Sequence, residues 1–308
     1  MTPAFDLNPW QSPGYLEEKE GRLHFDGIDM AALAERYGTP FFAYSERRLR
    51  ENARRITAAF RGHHDRATVC FASKACSLQG ILRILREEGL SVEVNSGGEL
   101  MKARLAGFAP GDIVFNGVIK TDDELRAALD PGVKVLNVDS LYELDRIARV
   151  AGDLGIEAGV SLRVVPEVTG GTTPGCETGS AISKFGILQA EVPRALEIIR
   201  GHAGRLQLKG LHVHVGSQVS DLAAYAQALR FLAGLATDIR AEMPSLSLVN
   251  MGGGFPVNYV KYNDQSPEIG YFNTDVTVEA VGEMAARELG GRLGAGMEIL
   301  TEPGRSMV

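Results

Sequence analysis

The chain has little cysteine: only Cys70, Cys76 and Cys176 among 308 residues. An odd count without framework spacing excludes a disulfide-stapled fold and suits a reducing compartment. Positive charge is not in surplus either. The formal net charge is −7, so nothing draws the chain to nucleic acid or to an anionic membrane. The basic run Glu46-Arg47-Arg48-Leu49-Arg50 reads as a solvated helix face. Long apolar runs are missing too: none approaches the ~20 residues that span a bilayer. Residues 1–14 show no basic region followed by an apolar core, so no signal peptide is expected. The expectation is a cytoplasmic protein with neither membrane nor nucleic acid as partner. There is no internal repeat and no low-complexity segment.

What is present is ordinary in bulk and specific in detail. Hydrophobic residues make up 44% and charged residues 23%, enough to bury a large core. After about residue 38, short β-branched runs alternate with amphipathic stretches. The candidate strands are 41–44, 68–72, 91–95, 113–116, 133–138, 160–165, 206–215, 246–251 and 297–301. Between them, Leu78, Ile81, Leu82 and Leu85 form a helical stripe, and 221–243 is a longer one. Thr121-Asp122-Asp123-Glu124 reads as a capped helix start, while Gly107 and Gly155 stand where helices should stop.

Strands alternating with helices imply parallel βαβ units. Counted from 68–72 to 297–301, the strands number the eight of a (β/α)8 barrel, with 41–44 preceding it; an open doubly wound sheet is the alternative. Residues 1–38 form an N-terminal extension with an edge-like strand at Arg22-Leu23-His24-Phe25-Asp26-Gly27 and a short helix. Residues 39–308 form the barrel. The segment 166–183 is long and rich in Gly and Thr, and reads equally as a lid or as simple disorder.

Four motifs stand at predicted strand ends, where a barrel builds its active site. Ala72-Ser73-Lys74 offers an amine. In apolar surroundings such a lysine loses basicity and forms a Schiff base with an aldehyde. His212 and His214 share a strand face. No third ligand has suggestive spacing, so a metal is not expected; a ring followed by Gly216-Ser217 suits a flat, phosphorylated cofactor. In Gly252-Gly253-Gly254 the backbone can approach an anion, though the spacing is not that of a dinucleotide fold. In Glu302-Pro303-Gly304-Arg305, the guanidinium can fork onto phosphate and the carboxylate can keep a pyridine nitrogen protonated. Buried structural histidines and a surface ion pair are the plainer readings of the second and fourth motifs.

These motifs, taken in order with Glu93-Val94-Asn95-Ser96-Gly97-Gly98-Glu99-Leu100 and Ser183-Lys184-Phe185-Gly186, resemble the fold-type III pyridoxal-phosphate-dependent decarboxylases over roughly residues 20–308. Ser-Gly-Gly-Glu-Leu, Ser-Lys-Phe-Gly-Ile and His-Val-Gly-Ser-Gln look most like the diaminopimelate decarboxylase branch. The resemblance implies pyridoxal 5'-phosphate as cofactor. Lys74 would bond to it, His214 would stack on its ring, and Glu302 would pair with the pyridine nitrogen. Ser217, Gly253, Gly254 and Arg305 would hold the phosphate, and Gly304 would also bind the cofactor. Glu93 occupies a position where the family usually has aspartate; with Asn95 and Arg163 it would lie just outside the cofactor.

The activity implied is decarboxylation of a small amino acid, most simply meso-diaminopimelate to lysine. Alternatives are an ornithine, lysine or arginine decarboxylase, or a non-catalytic carrier of the same cofactor. The family places a mostly β domain after the Glu-Pro-Gly-Arg strand, bringing a cysteine and a tyrosine, and works as a homodimer. The strand near Arg22 would normally join that domain. The chain is therefore expected to be the barrel portion of a longer protein, or a truncated one that binds the cofactor but turns over poorly.

Overall fold

The computed structural model describes residues 15–167, 185–257, 274–293 and 296–308. Its centre is a closed barrel of eight parallel strands. Three short strands precede it: β1 (Leu16–Lys19), β2 (Arg22–Phe25) and β3 (Ile28–Asp29). The barrel strands are β4 (Ala67–Ala72), β5 (Ser91–Val94), β6 (Ile113–Phe115), β7 (Val135–Val138), β8 (Ala158–Arg163), β9 (Leu206–His212), β10 (Leu248–Asn250) and β11 (Glu298–Thr301). Each pairs with its chain neighbour, and β11 pairs with β4 to close the ring. The open-sheet alternative is excluded by that closure.

α1 (Met30–Tyr37) packs on the N-terminal sheet. The other helices cover the outside of the barrel: α2 (Glu46–Arg61), α3 (Gln79–Glu87), α4 (Gly97–Leu105), α5 (Asp122–Leu129), α6 (Leu141–Leu154), α7 (Val192–Gly201), α8 (Leu222–Glu242) and α9 (Val278–Ala285). The expected caps are present. Thr121 and Glu124 exchange backbone bonds in a capping box, and Gly155 ends α6 in the left-handed conformation. Ile81, Leu82 and Leu85 of α3 are buried in the main apolar cluster, between helices and barrel wall.

Inside the barrel, the layers change character with height. Cys70, Val114, Val135, Leu248 and Leu300 form a small apolar plug. Towards the C-terminal mouth the fully buried side chains are polar: Glu93 on β5, Asn137 on β7, Ser161 on β8, His212 on β9 and Asn250 on β10.

Two expectations about the N-terminal part need correction. Residues 41–44 form no strand, and Phe42 is 93% exposed. A strand needs a partner, and a closed ring has no free edge to lend. Arg22–Phe25 is the centre of a three-stranded antiparallel sheet, not an edge. Asp26 anchors that sheet to α2, accepting from Ser45 Oγ (2.7 Å) and Arg47 Nε (2.7 Å). The segment 166–183 and Cys176 lie almost wholly or wholly outside the described residues, so neither the lid nor its alternative is tested there.

Candidate active site

A cavity of about 500 Å³ opens at the C-terminal mouth, within the usual size range of a small-molecule site. Ala72, Lys74, His214, Ser217, Gly254, Phe255, Glu302, Gly304 and Arg305 line it, which brings all four motifs onto one space. Local rules explain each placement. Lys74 lies in a single 3-10 turn directly after β4. The backbone of Ala72 donates to Pro303 O (2.9 Å), joining the first motif to the last.

Glycine is required where the last two strands turn into the mouth. A Cβ on Gly253 would sit 1.9 Å from the Glu302 carbonyl oxygen, and one on Gly254 would sit 2.2 Å from that of Gly216. Gly254 also has φ +87°, which L side chains seldom adopt. The backbones of three motifs thus touch here with no room between them. Tyr225, buried on α8, reaches up to the carbonyl oxygens of Met251 and Gly253 (both 3.0 Å) and fixes this turn from behind.

The charges are arranged in two groups. Arg305 Nη2 lies 3.1 Å from Ser217 Oγ, putting a guanidinium and a hydroxyl together on one wall. Glu302 is almost completely buried. Its Oε1 accepts from Asn250 Nδ2 (2.6 Å) and Asn137 Nδ2 (3.4 Å), and its Oε2 lies 3.5 Å from His212 Nε2. Burial alone would raise its pKa. The His212 ring, the Lys74 ammonium and the Asn250 bond outweigh burial and hold the carboxyl well below its usual range. Burial pushes His214 the other way, well below an ordinary imidazole, and the charges of Lys74 and Arg163 add to it. Its Nδ1 accepts from the Gly253 amide (3.3 Å), as a neutral ring can.

Lys74 departs from expectation. Its surroundings are not apolar: the side chain is 50% exposed and its Nζ is 3.6 Å from Glu93 Oε1. Glu93 is fully buried, and Asn95 Nδ2 donates to the same oxygen at 2.7 Å. Desolvation dominates there and pushes the Glu93 pKa up to about 7, against the pull of Lys74. His214 also departs from the expected geometry. β9 ends at His212, so the two histidines do not share a strand face; one lies beneath Glu302 and the other borders the cavity. Among the described residues, no cluster of three or more His, Cys, Asp or Glu could hold a metal.

Arg163 lies outside the cavity wall, its guanidinium 4.6 Å from the Phe185 ring centre and 3.6 Å from Asp139 Oδ1. Reading the motifs missed the groups that support it. Lys120 is entirely buried and donates to Gly117 O (2.7 Å), Asn137 O (2.7 Å) and Glu143 Oε1 (2.8 Å). Glu143 Oε2 accepts from the Asp139 amide (2.9 Å), and Asp139 Oδ1 from the Gly186 amide (2.9 Å). Asn250 was missed too, although a polar residue two before the triple glycine was a usable signal.

The donor set fits pyridoxal phosphate on structural grounds. A primary amine, a guanidinium beside a hydroxyl, a buried carboxylate held ionised, and a glycine turn with no room for any Cβ surround one cavity. The sequence profile of the pyridoxal-dependent decarboxylase pyridoxal binding domain matches residues 46–308. The diaminopimelate decarboxylase of Zymomonas mobilis is 36% identical over 291 residues, covering 94% of this chain and 66% of the relative. That of Bacillus subtilis is 36% identical over 296 residues, covering 95% and 66%. Among solved structures, diaminopimelate decarboxylase from Helicobacter pylori complexed with L-lysine superposes with a TM-score of 0.81 at 30% identity, covering 91% of this chain and 66% of that one. The M. jannaschii enzyme in co-complex with L-lysine gives 0.82 at 30% identity, covering 96% and 67%. The chain thus spans about 66% of the length of the curated relatives it matches. No helix among the described residues is long and apolar enough to cross a membrane. Barrel, site and comparisons agree, and the chain belongs to the pyridoxal-dependent decarboxylases, whose pyridoxal binding domain it carries.

Proposed function

We propose that the chain takes part in the decarboxylation of an amino acid, with meso-diaminopimelate as substrate and lysine as product, in the cytoplasm and as a homodimer. The observation that carries the chemistry is the meeting of Lys74, Glu302 and Arg305 on one cavity. The similarity to diaminopimelate decarboxylases, two of them bound to L-lysine, supports the substrate.

Pyridoxal phosphate, when bound, supplies a conjugated ring that accepts the electron pair left when the Cα–carboxylate bond breaks. Lys74 would hold it covalently through its amine. Arg305 and Ser217 would take the phosphate with charge-assisted bonds, helped by Gly253, Gly254 and Gly304, where the backbone comes close. Glu302, kept ionised, would hold a proton on the ring nitrogen and so favour the electron-accepting state. His214, neutral, would offer a flat face without adding positive charge. Glu93, fully buried beside the Lys74 amine with Asn95 bonded to it, can hold a proton or a counter-charge for that amine. Arg163 would act from behind the wall.

The direct test is borohydride reduction of the chain with pyridoxal phosphate, followed by peptide mapping, together with carbon dioxide release from a panel of amino acids. Labelling at Lys74 and release from diaminopimelate ahead of ornithine, lysine and arginine are expected. Cofactor binding with no release from any of them would leave the cofactor reading standing and remove the decarboxylase reading for this chain by itself.

A further inference from the structure

His212 is fully buried in the mouth and, unlike His214, does not line the cavity. Both of its ring nitrogens lack a hydrogen-bond partner among the described residues. An imidazole buried that way is costly unless a nearby group compensates. The compensating group is Glu302, whose Oε2 lies 3.5 Å from His212 Nε2. That distance is too long for a good hydrogen bond but fits an ion–dipole or ion-pair contact, and a small shift closes it.

The other oxygen of Glu302 is already occupied. Asn250 and Asn137 both donate to Oε1, which fixes that end of the carboxylate on β10 and β7. Two donors on a single oxygen leave the group able to tip about that oxygen. His212 stands on β9, beside β10, and meets the second oxygen. With β7, β9 and β10 each supplying a group, the carboxylate is held at both ends while Glu302 still lines the cavity.

We infer that His212 is a positioning residue: by engaging Oε2 it sets the orientation of the Glu302 carboxylate towards the ring nitrogen it is proposed to face. This rests on the cofactor reading above, and the test separates the two. The experiment loads the protein with ¹⁵N-labelled pyridoxal phosphate and compares wild type, His212→Leu and His212→Gln. Glutamine places an amide donor about where Nε2 now lies, whereas leucine keeps bulk and removes the donor.

All three proteins are expected to trap the cofactor on Lys74 with borohydride. The ring-nitrogen resonance should lie at the protonated position in wild type and His212→Gln, and should move towards neutral pyridine in His212→Leu. In the same variant kcat should fall roughly tenfold, the scale of one lost bond to a charged group, with KM little changed. His212→Asn keeps polarity but stops short of Oε2, so it should match His212→Leu and serves in its place if leucine prevents folding. A wild-type resonance and wild-type kcat in both the leucine and the asparagine variants would overturn the inference. Failure of wild type to trap at Lys74 would instead overturn the cofactor reading itself.

Discussion

The two halves of the barrel mouth are built differently. On the side of β10, β11 and β4 the site is made by backbone. Gly253 and Gly254 pack against the carbonyl oxygens of Glu302 and Gly216, and the Ala72 amide bonds to Pro303. On the side of β5 to β8 it is made by buried side chains: Glu93 with Asn95, Lys120 with Glu143, and Asp139 with Arg163. The first half leaves no room for a Cβ at Gly253 or Gly254. The second rests on paired charges, although Glu93 Oε2, Asn137 Oδ1 and Asp139 Oδ2 have no hydrogen-bond partner among the described residues. The same cavity therefore has one wall sensitive to volume and another sensitive to charge.

Lys74 is where the two walls meet, since it leaves β4 and faces Glu93 on β5. The largest effect is expected there. Lys74→Ala should abolish borohydride-stable labelling by pyridoxal phosphate and lower carbon dioxide release by roughly a thousandfold or more, as removal of a covalent group does. Arg305 and Ser217 are untouched, so weak, reversible cofactor binding should persist. Undiminished labelling would show that another lysine carries the cofactor.

Charge is next. Lys120→Met leaves the Glu143 carboxylate buried without its cation and frees the Gly117 and Asn137 carbonyl oxygens. Breaking a buried pair from one side costs about 3–5 kcal/mol, and denaturant unfolding should register it. Lys120→Met combined with Glu143→Leu should recover much of that loss, because no uncompensated charge is then left. If the single variant costs nothing, the second wall does not depend on charge and the contrast between the walls fails.

This pair also marks the limit of what the sequence could show. The backbone-built wall was legible because tight backbone leaves a contiguous trace: Gly-Gly-Gly, Glu-Pro-Gly-Arg and Ala-Ser-Lys each spell a whole turn. The barrel was legible because the period of strand and helix is local. The side-chain wall was not. Lys120 meets Glu143 and Asn137 across different strands and helices, and in the sequence it stands between Ile119 and Thr121 with nothing to mark it as buried. Residues 41–44 failed for the converse reason. Their composition is that of a strand, but pairing is a property of neighbours, and the ring had none free.

Volume comes third. Gly253→Ala would put a carbon 1.9 Å from a carbonyl oxygen of the Glu302 backbone, which cannot swing aside as a side chain could. A strain of about 3 kcal/mol is expected, at the upper end of overpacking costs, so stability and cofactor affinity should fall together. The matched control is Gly111→Ala, where nothing lies within 4 Å of the added carbon. Equal effects of the two substitutions would remove the claim that this wall is limited by space.

The smallest effect should come from the proton on Glu93, and it has a definite sign. The Glu93 pKa is about 7 in the folded chain, raised by desolvation from the 4.5 of a free glutamate. Below pH 4.5 both states carry the proton and no stability is lost. As pH rises from there towards 7, the unfolded chain releases the proton while the folded chain keeps it, so folding grows less favourable. Glutamine at this position has no proton to lose. The stability of wild type relative to Glu93→Gln should therefore fall between pH 5 and pH 8, by about 2 kcal/mol for a shift of this size. Urea unfolding of both proteins at the two pH values measures it. A difference that stays flat would mean that the Lys74 ammonium, despite its exposure, fully compensates the buried charge. In that case the lysine and the glutamate would form an ion pair at rest, and the charge-sensitive wall would extend onto β4.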